Sequence, residues 1–334
     1  MKKRAIVFAI GFLLSISALL GADIRAEATQ PGSAAVNPVN ITPLNEYLTM
    51  KREVEVHAAP GTSSPVIGKL VSGQPAIAVG RTDNGWKQIY YIGAIGFIPG
   101  DAAQNYIIPT VEEKKIPLSN NMNINALGDS ITFGDKLGDI SCSWPFLLGN
   151  VCQAANVNNY GWNGSCIGGI HPDRFVDRYV SMDRSADVVF MFGGTNDYEG
   201  YNGQGTTIGA MGDITPDSFY GALNITMCGL RQMYPDSEII VMTPLRRVGY
   251  MRRNQKGYYL GQYVTAIQEM AAFYGIRVLD LYNEPELDFS AKSSLYLVDG
   301  LHPNEFGQAM IAMHVYRTLF ELEPAVVEPL KIVE

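Results

Sequence analysis

The sequence predicts an α/β fold, a parallel sheet covered by helices on both faces, with a smaller all-β domain before it. From about residue 121, short apolar runs alternate with longer segments of helical periodicity, which is typical of parallel strands connected by helices. From about Tyr47 to Ala103, short alternating segments are separated by turn residues, which predicts a β barrel of about six strands. A chain of 334 residues is long enough for both domains.

The N-terminal segment has the order of a secretory signal peptide. Lys2-Lys3-Arg4 precedes an apolar run from Ala5 to Leu20, which is followed by Gly21-Ala22. Cleavage after Ala22 or after Ala28 fits this order, and the sequence does not choose between them. The alternative is an uncleaved anchor, because the run approaches the ~20 residues of a bilayer span. Export with cleavage predicts a secreted or cell-wall-associated protein without a stable membrane span.

Charge and composition limit the partners. The formal net charge is −8, and the sequence has no run of basic residues beyond the N-terminal segment, which argues against nucleic acid or anionic membrane as the natural partner. The composition shifts predict the following domains: signal peptide 1–22, linker 23–44, all-β domain 45–105, linker 106–121, α/β domain 122–322 and tail 323–334.

The four cysteines have neither metal-ligand spacing nor the density of a disulfide scaffold. In an exported protein one bridge is plausible, and Cys142 to Cys166 is the favoured pair because both follow candidate site segments. Buried free thiols are the alternative.

Within the all-β region, three short motifs resemble the bacterial SH3-like domain. They are the turn Pro60 to Ser64, the pair Gly85-Trp86 before a strand, and the pair Gly96-Phe97 in a closing strand. The resemblance implies a cell-wall peptide or glycan as ligand. The segment Val54 to Ala58 departs from the pattern before the turn, so a structural spacer without a ligand is the alternative.

The elements of the larger domain follow in order along the chain. The apolar runs predict five strands: Ile124–Leu127, Val157–Tyr160, Val188–Phe192, Ile239–Thr243 and Val278–Leu281. The helical patterns predict five helices: Trp144–Ala155, Pro172–Ser181, Pro216–Tyr234, Tyr258–Tyr274 and Asn304–Leu322. In parallel sheets, sites form beyond the carboxyl ends of the strands, and the candidate functional segments follow predicted strands or precede helices.

A serine, a histidine and a carboxylate have the chemistry of nucleophilic catalysis. Ser130 follows a strand through Gly128-Asp129; by itself it reads as a helix N-cap, and Thr132 breaks the Gly-x-Ser-x-Gly pattern. Among four histidines, His302 has a carboxylate, Asp299, three residues before it. Asp299 is expected to fix the ring tautomer, so that His302 acts as a base toward Ser130.

Two further segments offer donors for an oxyanion. Asn196 follows a strand and Gly194-Thr195, and its side-chain amide is a donor, as are the backbone amides of Ser130 and Gly164. The alternative is that Asn196 only stabilises a turn. The sequence shows no metal-ligand pattern, and we expect neither a metal nor an organic cofactor.

The four segments together resemble the SGNH hydrolase family, also called GDSL esterases and lipases. The matching blocks are Gly128-Asp129-Ser130, Asn159-x-Gly161-x-x-Gly164, Gly194-x-Asn196-Asp197 and Asp299-x-x-His302. The resemblance covers about residues 121–322. It implies a three-layer α/β/α sandwich with a five-stranded parallel (flavodoxin-like) sheet. It also implies a catalytic triad of Ser130, His302 and Asp299, and an oxyanion hole of Ser130, Gly164 and Asn196.

The expected function is therefore that of a secreted serine esterase acting on short-acyl, chiefly acetyl, esters of a cell-wall or other carbohydrate. The glycine-rich polar segment from Tyr198 to Asp213 suits a polar ligand. A lipase, lysophospholipase or thioesterase is the alternative within the family. A non-catalytic cell-wall-binding protein is the alternative from another class.

Overall fold

The computed structural model describes residues 39–111, 113–200 and 203–321. The predicted signal peptide and tail lie outside these residues. Within the described part of the chain, no helix combines the length and the apolar character that a bilayer span requires.

The first sheet is antiparallel and has seven strands rather than about six, in the order β3-β2-β6-β5-β4-β1-β7. β1 begins inside the segment predicted as a linker, before residue 45, and pairs with β4. The predicted turn residues Pro60 to Ser64 connect β2 to β3. The strands are β1 (Ile41–Met50), β2 (Val54–His57), β3 (Val66–Leu70), β4 (Pro75–Thr82), β5 (Trp86–Tyr91), β6 (Ala94–Pro99) and β7 (Ala103–Asn105).

The second sheet confirms the five-stranded parallel sheet, in the order β12-β11-β10-β8-β9. This is the flavodoxin-like order, in which the direction of strand addition reverses beside the first strand, β8. The strands are β8 (Asn123–Gly128), β9 (Asn156–Gly161), β10 (Val188–Phe192), β11 (Glu238–Met242) and β12 (Arg277–Leu279). All five lie within two residues of the predicted bounds.

Eight α-helices accompany the sheet in the described residues: α1 (Ser130–Phe133), α2 (Trp144–Cys152), α3 (Phe175–Arg178), α4 (Thr195–Glu199), α5 (Phe219–Met233), α6 (Leu260–Tyr274), α7 (Ser293–Tyr296) and α8 (Glu305–Leu319). The helix predicted over 172–181 is shorter, because it is α3 followed by a 3₁₀ turn, Tyr179–Ser181. Capping side chains set the starts of α5 and α8: Ser218 accepts a hydrogen bond from Gly221 N, and Asn304 from Gly307 N.

Apolar side chains cover both faces of this sheet. Along β10, Val188, Phe190 and Phe192 pack with α2 and α8, whereas Val189 and Met191 pack with α5 and α6. Every residue of β10 is buried, as expected for a central parallel strand. The sheet therefore holds the loops at its carboxyl edge on a rigid three-layer support.

The all-β domain packs directly on the α/β domain. Gln232 at the end of α5 donates to Pro75 O at 3.0 Å and accepts from Ile92 N at 3.2 Å. Tyr106, in the segment predicted as the second linker, donates to Phe273 O at 2.8 Å and packs on the Phe273 ring. This segment is therefore packed against α6 rather than a free tether, because its aromatic side chain has an apolar partner there.

All four cysteines are free, so the favoured Cys142–Cys166 bridge is wrong. Three of them are buried, as the alternative of buried free thiols predicted, whereas Cys142 is half-buried. Burial raises the pKa of the Cys152 thiol to about 12 and raises that of Cys166 as well. Both thiols are therefore protonated and unreactive at neutral pH.

Candidate active site

The candidate residues lie at the carboxyl edge of the parallel sheet. Ser130 follows β8, Gly164 lies in the loop after β9, and Asn196 is the second residue of α4 after β10. The strand order reverses between these strands, which is where open α/β sheets form their binding crevices.

Ser130 is the first residue of α1. The Asp129 carboxylate caps this helix by accepting from Ile131 N at 2.9 Å, and Gly134, at φ +92°, ends it. A side chain could not replace Gly134 without strain, because L residues rarely adopt this conformation. The short helix therefore fixes the Ser130 side chain, which is buried, in one position.

His302 contacts both Ser130 and Asp299. Its Nε2 lies 3.0 Å from Ser130 Oγ, and its Nδ1 lies 2.7 Å from Asp299 Oδ2. The other oxygen of Asp299 accepts from Leu301 N at 3.1 Å and from His302 N at 2.9 Å. A hydroxyl, an imidazole and a carboxylate thus form a continuous hydrogen-bonded chain, which is the geometry required to activate a hydroxyl nucleophile.

Asp299 is held in its ionised form. Partial burial opposes ionisation, but the backbone hydrogen bonds from His302 and Leu301 and the side-chain bond to His302 outweigh it and lower the Asp299 pKa to about 2. A permanently ionised carboxylate at Nδ1 directs the Nδ1 proton toward itself and leaves Nε2 to accept from Ser130.

Asn196 contacts the loop that contains Gly164 through one hydrogen bond. The Asn196 side-chain amide donates to Ser165 O at 3.1 Å, and Gly164 directly precedes that residue. Gly164 has φ +76°, and a Cβ added there would lie 3.5 Å from His171 Nε2. His171 itself accepts from Asp173 N through Nδ1 at 3.0 Å, so it caps the turn that it begins.

Two fully buried carboxylates lie beneath these residues, and we call them the floor acids: Asp129 and Asp197. Burial raises the pKa of Asp129 to about 7 and that of Asp197 to about 6, against hydrogen bonds that lower both. Asp197 accepts from Ile167 N at 2.7 Å and from Gly168 N at 3.0 Å. It therefore connects α4 to the loop that contains Gly164.

Sequence reasoning missed two residues of the site. Asp135 Oδ2 lies 3.7 Å from His302 Nε2 and 3.1 Å from Lys136 Nζ. The guanidinium of Arg178 donates to Gly128 O and Tyr160 O, both at 2.9 Å, and so joins the ends of β8 and β9. Asp135 could have been found, because it lies only five residues after Ser130 in the chain. Nothing in the sequence marks Arg178.

A group with metal-ligand geometry lies among the described residues, but it shares no residue with this site. Ligand atoms of Glu284, Glu286 and His314 lie within 4.8 Å of one another. Glu286 is exposed, and surface acids commonly cluster without binding a cation.

Comparison with known proteins agrees with the fold. The model of the GDSL-like lipase/acylhydrolase family matches residues 126–310, more than half of the chain. The chain belongs to this family. The protein is accordingly a hydrolase that acts on ester bonds. The model of the bacterial SH3 domain matches residues 52–103, so the first sheet is an SH3-like domain.

Solved structures provide two relatives of the α/β domain. A protein from Lactobacillus plantarum is 30% identical with a TM-score of 0.54, over 58% of this chain and 94% of its own. A protein from Chitinophaga pinensis, described as a possible lipase, is 21% identical with a TM-score of 0.48, over 58% of this chain and 96% of its own. The second likeness is too distant to carry an argument about function. None of the curated proteins compared matches the chain.

Proposed function

We propose that the protein is a serine esterase in which Ser130 is the nucleophile, His302 the general base and Asp299 its orienting carboxylate. The observation that carries this proposal is the chain of contacts from Ser130 Oγ to His302 Nε2 at 3.0 Å and from His302 Nδ1 to Asp299 at 2.7 Å. Distances of this size allow direct proton transfer along the chain.

The reaction has two steps. Ser130 Oγ attacks the ester carbonyl while its proton passes to His302 Nε2, and collapse of the tetrahedral intermediate expels the alcohol, which takes that proton. Water then attacks the acyl-enzyme, gives a proton to His302 Nε2, and releases the acid as Ser130 Oγ recovers the proton. No co-reactant besides water is required.

Three donors are available for the oxyanion. Ser130 N is the first amide of α1 and therefore has no carbonyl one turn earlier in the helix. Asn196 uses one amide hydrogen on Ser165 O, and the second remains for substrate. Gly164 N is the third donor, and its positive φ aims its peptide differently from those of its neighbours. Loss of one such donor typically costs about 10²–10³ in kcat.

We propose short-acyl esters of a carbohydrate as the substrate class. Trp162 lies two residues before Gly164, and its side chain is 52% exposed. Trp162 N donates to Gly128 O at 3.1 Å, two residues before Ser130, so Trp162 belongs to the same group of loops as the proposed nucleophile. An exposed indole there offers a flat apolar surface on which a sugar ring stacks.

We also propose that the protein acts outside the cytoplasm and that its SH3-like domain contacts the cell wall. The order of residues 1–22 and the match to the bacterial SH3 domain support this location. Ile67 on β3 and Ile95 on β6 are more than two-fifths exposed and provide an apolar surface for such a ligand. Binding of purified cell walls by the wild type, and weaker binding by Ile67→Ser/Ile95→Ser, tests this; equal binding by both contradicts it.

Hydrolysis of p-nitrophenyl esters from acetate to laurate by residues 29–334 tests the catalytic proposal. We expect activity that falls with acyl length and that decreases by up to ~10⁶ in Ser130→Ala. Activity that rises with acyl length would instead indicate a lipase or thioesterase. A Ser130→Ala variant that keeps more than about a tenth of wild-type activity would contradict the nucleophile assignment.

A further inference from the structure

The loop between β11 and α6 is the most basic segment of an otherwise acidic chain. Residues 239–268 contain no Asp or Glu, although the whole chain has 33 acidic and 25 basic residues. Five basic residues lie close together in this stretch: Arg246, Arg247, Arg252, Arg253 and Lys256. Such a concentration of one sign of charge attracts anions to this part of the surface.

Two of these arginines are neutralised within the protein. Arg246 pairs with Asp288 at 3.3 Å, and Arg247 pairs with Glu199. Among residues 39–111, 113–200 and 203–321, no carboxylate pairs with Arg252 or Arg253. In this loop, Arg246 and Arg247 are therefore paired within the protein, whereas the charges of Arg252 and Arg253 remain available to an external anion.

Arg252 and Arg253 line a cavity of about 180 Å³ together with Tyr198, Glu199 and Gln255. The Arg253 guanidinium is held in place, because it stacks on the Tyr259 ring at 4.6 Å and donates to Tyr259 Oη at 3.1 Å. The Arg252 guanidinium lies over Gly249, where a Cβ would approach it to 2.3 Å. Two guanidinium groups at one cavity, of which Arg253 is held in place, match the planar, bidentate acceptors of a carboxylate or a phosphate.

This cavity adjoins the candidate active site on two sides. Glu199 follows Asn196 by three residues in α4, so both lie on one face of that helix, about one turn apart. On the other side, Val248 N donates to Gly300 O at 3.0 Å, two residues before His302. The cavity lining at Glu199 is thus about one helical turn from Asn196, so a substrate that extends from Ser130 past Asn196 runs toward this cavity.

We propose that Arg252 and Arg253 form an anion subsite, and that the ester substrate is an acidic carbohydrate bearing a carboxylate or phosphate near the ester. This inference rests on the proposed function, because it identifies the substrate class of the same site. The subsite binds the part of the substrate that Ser130 does not attack, so it acts on the binding of large acidic esters and leaves small neutral esters unaffected.

The test compares Arg252→Gln/Arg253→Gln with the wild type on three substrates: O-acetylated polygalacturonate, O-acetylated xylan and p-nitrophenyl acetate. We expect kcat/KM on the acidic polymer to fall about tenfold, mainly through KM, with the other two substrates unchanged. The loss should shrink as salt is raised, because exposed charges are screened. Arg81→Gln, an exposed position on β4, removes a similar charge elsewhere and serves as the matched control.

Competition distinguishes the two sources of the anion. We expect either inorganic phosphate or trigalacturonate to inhibit hydrolysis of O-acetylated polygalacturonate by the wild type, and to inhibit the double variant less, because the acidic polymer occupies the subsite whereas p-nitrophenyl acetate does not. The stronger inhibitor identifies phosphate or carboxylate as the natural group. Equal inhibition of both proteins, with an unchanged ratio of activities on the acidic and neutral polymers, would overturn the subsite while leaving the esterase intact. Absence of Ser130-dependent turnover on every ester would overturn the proposed function as well.

Discussion

Two pairs of carboxylates, one below and one beside the same serine, have opposite environments. The floor acids, Asp129 and Asp197, are buried, and burial raises their pKa values to about 7 and about 6. The rim acids, Asp299 and Asp135, are partly exposed and lie against the two ring nitrogens of His302. For Asp299 the hydrogen bonds outweigh burial and lower its pKa to about 2.

The comparison assigns a structural role to the floor acids and a role in the reaction to the rim acids. The floor acids bond to backbone amides of loops and hold the nucleophile and the Gly164 loop in place. The rim acids act on an imidazole whose charge changes during the proposed reaction. Replacing a rim acid should therefore change the rate far more than the stability, whereas replacing a floor acid should change stability first.

The largest expected effect is at the rim. Asp299→Asn should lower kcat by about 10⁴, because an amide at this position no longer fixes the required tautomer or stabilises the imidazolium. Steady-state kinetics with p-nitrophenyl acetate measures the loss, at a temperature well below the thermal midpoint of the variant. A loss below tenfold would show that Asp299 is not the orienting group.

The next effect is at the floor. Asp197→Asn leaves only one oxygen for two backbone donors, so either Ile167 N or Gly168 N loses its partner in a buried position. We expect the free energy of unfolding to fall by about 1–3 kcal/mol. Urea denaturation measures it, with Asp236→Asn, an exposed position, as the matched control. Equal midpoints for both variants would contradict the supporting role.

The floor acids and Asp299 should also respond oppositely to pH. The ordinary pKa of an aspartate is about 3.9, so between about pH 4 and pH 7 the folded floor acids bind more protons than the unfolded chain, and their contribution to stability rises as the pH falls. The contribution of Asp299 is complete above about pH 4 and is lost as the pH falls toward 2.

Thermal midpoints of the wild type and Asp129→Asn between about pH 4.5 and pH 7.5 isolate the floor contribution. We expect the thermal midpoint of the variant to fall relative to that of the wild type as the pH is lowered. The wild type and the variant are compared with each other at each pH, because both proteins contain His171 and His314. Burial lowers the pKa of these two histidines and thereby favours unfolding of both proteins at low pH. A difference that is constant with pH would mean that Asp129 is ionised throughout.

The smallest expected effect concerns the second rim acid. Asp135→Asn removes a charge 3.7 Å from His302 Nε2, where the imidazolium proton of the proposed mechanism would lie. Since Asp135 is partly exposed and already pairs with Lys136, we expect kcat to fall less than about tenfold with KM unchanged. A change in KM alone would assign Asp135 to substrate binding instead.

The sequence predicted those parts of the molecule that depend on local pattern. The five parallel strands were predictable because each is an apolar run bounded by turn residues. That Ser130, Asn196 and His302 lie at one edge of the sheet was predictable because each stands after a predicted strand or before a predicted helix. Arg178 and the docking of Gln232 on Pro75 were not predictable, because they join segments far apart in the chain. Asp135 was missed since its distance to His302 depends on how α1 ends.

Capture of the acyl-enzyme tests the central claim most directly. The protein is quenched in acid during turnover of p-nitrophenyl acetate, digested, and mapped by mass spectrometry. The mechanism predicts an acetyl group on the peptide that contains Ser130, accumulating in the wild type and absent from Ser130→Ala. Acetylation at another residue, or full turnover by Ser130→Ala, would contradict it.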